Sequence, residues 1–187
     1  MKKLTILLAV TLLAATGAFA DTVTYTTSGC FTGGQAVGSC PGNTLANGGA
    51  VVSFVTTGGS VGTPTGTSLG TIHMTDSGVA GTFTGDTFTL TINQTTPSSG
   101  TGSSSASISG TITTNSDGSM SLNFVPTIIT IGNIGYFLQT SYILNNPSVN
   151  GGNTTIQAFV DVPEPSSLLL LGTGLSGLAG FIRRRRK

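Results

Sequence analysis

Residues 86–93, DTFTLTIN, alternate without exception. Phe88, Leu90 and Ile92 fall on one side of an extended chain, and Thr87, Thr89 and Thr91 on the other. An α-helix would scatter these apolar groups around its axis, whereas a strand gathers them on one face. SMSLNF (119–124) repeats the pattern with Met120, Leu122 and Phe124, and TTIQAFVDV (154–162) repeats it with Ile156, Ala158, Val160 and Val162. Period two with Thr enrichment predicts half-buried strands with one face on a core and one in water. Further strands are expected at 21–27, 50–56, 68–75, 79–84, 105–113, 127–131 and 135–144. The stretch ISGTITTNSDGSMSLNF (108–124) predicts a hairpin turning at Asp117-Gly118.

Gly, Pro, Ser and Asn clusters punctuate the pattern. TGGSVGTPTGTS (57–68), QTTPSSGTGSSS (94–105) and NNPSVNGGN (145–153) read as loops. About nine or ten short strands over residues 21–161 predict one all-β domain, a β-sandwich or jelly roll.

Charge is scarce and segregated. Only 7% of residues are charged, against roughly 25% in ordinary globular chains. Lys2 and Lys3 stand at the front and Arg183, Arg184, Arg185, Arg186 and Lys187 at the back, so residues 21–182 contain no Lys or Arg. A body without cations excludes nucleic acid as a partner, because phosphate contact relies on them. No G-x-x-x-x-G-K-[ST] loop occurs either.

The front end, MKKLTILLAVTLLAATGAFA, has a basic start, an apolar run and small residues Ala18 and Ala20 framing Phe19. This is the pattern of a secretory signal peptide over residues 1–20. Signal peptidase is expected to cut after Ala20, leaving Asp21 first. Export places Cys30 and Cys40 in an oxidising compartment, where an even count predicts a disulfide. Closing so short a loop would stabilise by about 2–3 kcal/mol.

Catalytic patterns are sparse. His73 is the single histidine and sits between Ile72 and Met74, on the face of an expected strand. No G-x-S-x-G elbow accompanies it. Asp76, Asp86 and Asp117 fall near expected turns, where aspartate has a backbone role. No catalytic residue, metal ligand or cofactor is assigned. Ca²⁺ bound by loop aspartates and carbonyls is a weak alternative, unsupported by any D-x-D-x-D-G loop. The Thr, Ser and Asn surface suits carbohydrate contact, for which Tyr25, Tyr136, Tyr142 and Phe159 are the candidate aromatic platform. Asn93-Gln94-Thr95 and Asn153-Thr154-Thr155 are glycosylation sequons.

The chain closes with VPEPSSLLLLGTGLSGLAGFIRRRRK (162–187). Pro163 and Pro165 end the last strand. Ser166–Ile182 is uncharged and just long enough to be read as a transmembrane helix. The cations at 183–187 resist crossing and predict a cytoplasmic C-terminus with the body outside.

Val162-Pro163-Glu164-Pro165-Ser166, the apolar Leu168–Ile182 span and Arg183–Arg186 occur in a fixed order that resembles the PEP-CTERM protein-sorting signal of exopolysaccharide-producing Gram-negative bacteria. That resemblance implies recognition by exosortase and removal of the helix near Pro163-Glu164-Pro165. It implies an inner-membrane-tethered precursor and a final place at the cell surface or outside the cell, with exopolysaccharide or biofilm matrix and a body open to glycosylation. The expected function is therefore a non-enzymatic surface or matrix protein. A carbohydrate-binding module or adhesin is the alternative, and a secreted hydrolase using His73 or loop carboxylates a third reading.

Overall fold

The computed structural model describes residues 22–33, 36–37, 44–112 and 118–162, with Gly172 and Gly174 of the tail, both helical. The expected features at residues 1–20, Ala20, Asp21, Cys40, Asp117, Pro163–Pro165 and Arg183–Lys187 lie outside these residues, as does the 166–182 span apart from the two glycines. Among the described residues no helix is long and apolar enough to cross a membrane.

The body is a sequence of strands. They are β1 (Thr22–Thr32), β2 (Ala36–Val37), β3 (Thr44–Asn47), β4 (Ala50–Val55), β5 (Gly58–Gly62), β6 (Thr65–Asp76), β7 (Gly81–Thr96), β8 (Gly100–Ile112), β9 (Gly118–Val125), β10 (Ile128–Ile131), β11 (Ile134–Leu138), β12 (Ser141–Leu144) and β13 (Asn153–Asp161). A six-stranded sheet runs β12-β9-β8-β7-β1-β5 and a seven-stranded sheet β10-β11-β13-β6-β4-β3-β2. Every pairing is antiparallel.

The alternation translates directly into burial. Phe88, Leu90 and Ile92 of β7 are buried, as are Met120, Leu122 and Phe124 of β9 and Ile156, Ala158 and Val160 of β13. Both sheets turn these faces to each other and share one core. Phe54 of β4 meets Phe88 of β7 across it, with ring centroids 5.2 Å apart. Tyr25 of β1 meets Tyr136 of β11 edge-on at 6.1 Å. Each such buried aromatic contributes on the order of 1.5–3 kcal/mol of transfer free energy, and the two-sheet sandwich is what removes both faces from water.

The strand boundaries depart from expectation at β2 and β3, where no strand was expected, at β1, which runs on to Thr32, at β6 and β7, which extend into the expected loops at Thr65 and Thr96, and in the places that follow. Strands predicted at 79–84 and 86–93 are one element, β7, whose register against β8 shifts between Thr84 and Asp86. Gly85 takes φ +77° there, so a β-bulge absorbs the break in alternation. Residues 58–62 and 100–104, read as loops, are strands β5 and the first part of β8. Small residues serve close packing in β8: a Cβ on Gly102 would collide with Ile129, and one on Gly100 with Ile131. Finally, 135–144 is not one strand. β11 belongs to the seven-stranded sheet and β12 to the six-stranded one, so the chain changes sheets at Gln139-Thr140. The 108–124 hairpin is present, with Ile112 opposite Gly118.

Candidate functional site

Each residue singled out in the sequence takes a distinct place. His73 lies half-buried on the outer face of β6, opposite Asn153 on one side and Ser53 on the other. Its Nδ1 is 3.1 Å from Asn153 Oδ1, so its ring is oriented by an amide. Asp76 ends the same strand and accepts a hydrogen bond from the Gly78 amide at 2.9 Å, an Asx turn. Asp86 belongs to the other sheet and is buried on its core side, with Oδ2 lacking a hydrogen-bond partner. The two carboxylates therefore do not stand together on one strand or one sheet. No group of three or more His, Cys, Asp or Glu side chains that could hold a metal occurs among the described residues. Cys30 lies on β1, and no free cysteine occurs among the described residues. In the sequons, Asn93 is exposed and accepts from the Thr101 hydroxyl, while Asn153 is committed to the Asn150 carbonyl and His73.

The expected aromatic platform needs correction. Tyr25, Tyr136 and Tyr142 are buried. The Tyr136 hydroxyl donates to Gln94 Oε1 at 2.8 Å, inside the core. Burial lifts its ionisation well above the ordinary tyrosine range, and the nearby Tyr25 adds to that rise. Burial raises Tyr142 as well, opposed by its hydrogen bonds to the backbone of Gln139 and Gln157. Of the four aromatics proposed, only Phe159 is exposed, at 48%.

Phe159 does not stand alone on the outer face. It pairs directly with Phe137 on β11, which pairs directly with Ile128 on β10. Phe137 is 40% and Ile128 49% exposed. By register the three fall in one line across adjacent strands of the outer face, about 10 Å long at the usual strand spacing, with the Phe137 ring leaning along β11 over Gly135. Gly66 of β6 lies opposite Phe159 and continues the row with open space where a Cβ would stand. The parity of the strands held the signal. With Ile156, Ala158 and Val160 inward, Phe159 must point out beside Gln157, and Phe137 must point out between Tyr136 and Leu138.

The two outer faces differ in how they use hydroxyls. On the six-stranded sheet five directly opposed pairs bond each other, Thr24 with Ser60, Thr82 with Thr111, Thr89 with Ser105, Ser109 with Ser121, and Thr32 with Thr87, while Ser28, Thr91 and Ser103 stand in line without such bonds. A depression of ≈ 280 Å³ on that face is lined by Ser109, Ser119, Ser121 and Ile143, and the hydroxyls of Ser109 and Ser121 are paired 3.3 Å apart. Around the apolar row on the other sheet, the side chains of Gln157, Thr155, Thr130 and Thr71 make no hydrogen bond to any described residue.

The row lies close to where the body ends. β13, paired on both sides by β11 and β6, runs to Asp161, and Val162 packs partly against the core. Residues 161–187 match the PEP-CTERM protein-sorting motif family. No curated protein and no solved structure matches the chain. The chain thus carries the C-terminal motif of exported proteins that exosortase sorts.

Proposed function

We propose that this chain is a non-enzymatic structural protein of the cell surface or extracellular matrix, released or fixed there by exosortase and associated with exopolysaccharide. The observation that carries the reading is a coincidence of boundaries. The sorting motif begins at Asp161, and the last ladder residue of β13 is Asp161. Every described strand of the two sheets ends before the processing segment Val162, Pro163, Glu164 and Pro165, so a cut after Val162 leaves the ladders intact. The signal peptide at 1–20 directs export, the 166–182 span holds the precursor in the inner membrane, and Arg183–Lys187 stay in the cytoplasm. A disulfide between Cys30 and Cys40 secures the end of β1, and glycans on exposed Thr or Asn side chains cover the surface. No cofactor enters this function.

Fractionation of the native host tests it. The wild-type chain is expected outside the inner membrane, and the chain is expected to stay in the inner membrane after deletion of exosortase or replacement of Pro163-Glu164-Pro165 by alanines. The same distribution in all three strains contradicts it.

A second reading, a carbohydrate-binding module or adhesin on the same scaffold, is favoured by the exposed Ile128–Phe137–Phe159 row and its uncommitted polar neighbours.

A further inference from the structure

We propose that the outer face of the seven-stranded sheet, centred on Phe137 and Phe159, binds a neutral polysaccharide. The inference rests on the carbohydrate-binding reading and specifies its site, its ligand class and its contacts.

The first support is shape and chemistry. Phe137 and Phe159 are directly opposed neighbours on a sheet face, with Ile128 on one side and the open floor at Gly66 on the other. Pyranose rings present a C–H face and a rim of hydroxyls. The C–H face stacks on the electron-rich face of a phenyl ring, as partial positive charge does generally. The hydroxyl rim needs donors and acceptors beside the rings. Gln157 lies next to Phe159 along β13, and Thr130 lies two residues from Ile128 along β10. Thr155 and Thr71 are opposed one step further. All four side chains are free to bond a ligand beside the exposed rings, whereas the six-stranded sheet, which has unpaired hydroxyls at Ser28, Thr91 and Ser103, has no exposed phenyl row beside them among the described residues of its outer face.

The second support is charge. Residues 21–162 hold aspartates and no Lys or Arg, so an anionic polymer meets no counter-charge and some repulsion. The same feature argues against a lipid surface as the occupant. The body has no Lys or Arg beside the row to attract headgroups. Asp161 also lies beyond Phe159 on the same face, toward the membrane end of β13, where insertion of the row would carry a carboxylate with it.

The test uses the full chain held in lipid nanodiscs, so it does not depend on processing. Retention is measured by co-sedimentation with insoluble cellulose and chitin and by calorimetry with soluble glucan, mannan and alginate. The wild type is expected to bind at least one neutral polymer, equally at low and high salt, and not alginate. Phe159→Ala and Phe137→Ala are each expected to weaken binding about tenfold or more, the scale of a truncated aromatic anchor, with melting temperature unchanged. Phe159→Tyr retains binding, and Gln157→Ala weakens it a few-fold. Wild-type binding untouched by both alanine variants overturns the site and leaves the carbohydrate reading standing. No neutral polymer bound overturns both. Phe-dependent binding to empty vesicles instead assigns the row to lipid and also overturns the proposal.

Discussion

Replacing Asp86 by asparagine is predicted to stabilise the body. Asp86 follows the Gly85 bulge, faces the core side of β7, is 2% exposed and has no hydrogen bond at Oδ2. A Cβ on Gly33 would collide with its Oδ1, so the chain closes tightly around the carboxylate. A buried polar atom without a partner costs about 1–3 kcal/mol, and more when it carries charge. Asparagine keeps the volume and removes the charge, so a gain of about 1–2 kcal/mol is expected, part of the cost remaining with the amide. For a domain of this size that raises Tm by about 2–8 °C. The assay is thermal and urea unfolding of wild type and Asp86→Asn side by side, with EDTA and with Ca²⁺. A variant that melts lower than wild type in EDTA refutes the reasoning, because the carboxylate must then have a compensating partner. A Ca²⁺-dependent rise in wild-type Tm that the variant lacks would identify that partner as the cation.

Three further outcomes follow from the core. Tyr136→Phe leaves Gln94 Oε1 without its donor and should destabilise by about 1–2 kcal/mol in urea unfolding. Phe88 has ring centroids 5.0 Å from Phe31, 5.2 Å from Phe54 and 6.3 Å from Phe124; Phe88→Ala should cost about 3–5 kcal/mol, read as a fall in urea midpoint. Tyr136 and Tyr142 ionise above the ordinary tyrosine value when folded. Their contribution is complete below pH about 10 and is lost as pH rises from there toward the folded values, at up to about 1.4 kcal/mol per pH unit for each; unfolding free energy measured from pH 8 to 11 should stay level and then fall, and the fall should be shallower in Tyr136→Phe.

Much of the sandwich was legible because its strands obey one simple rule. Phe88, Leu90 and Ile92 alternate with threonine, and burial follows that alternation residue by residue. The rule failed where apolar residues were not the ones filling the core. Gly100, Gly102 and Ser104 line the inner side of β8 because Ile129 and Ile131 of β10 press against it, and a run of small residues looks like a loop when its partner is unknown. It failed again at 135–144, where Tyr136, Leu138, Tyr142 and Leu144 keep the same parity and are all buried, yet in different sheets. Parity is a local property and the sheet that receives a strand is not. The apolar row depends on both. Phe137 and Phe159 each point outward by parity, but only the register of β11 against β13 makes them neighbours. The tail was legible for the opposite reason: its order of proline, apolar run and arginines is linear, and needs no partner strand to be read.

Intact mass of the chain recovered from its native host, with and without exosortase, tests the central claim most directly. A product that begins at Asp21, ends within Val162–Pro165 and disappears in the strain lacking exosortase is predicted, with excess mass wherever glycans are attached. A product that retains Arg183–Lys187 in both strains would contradict it and make the tail a permanent anchor.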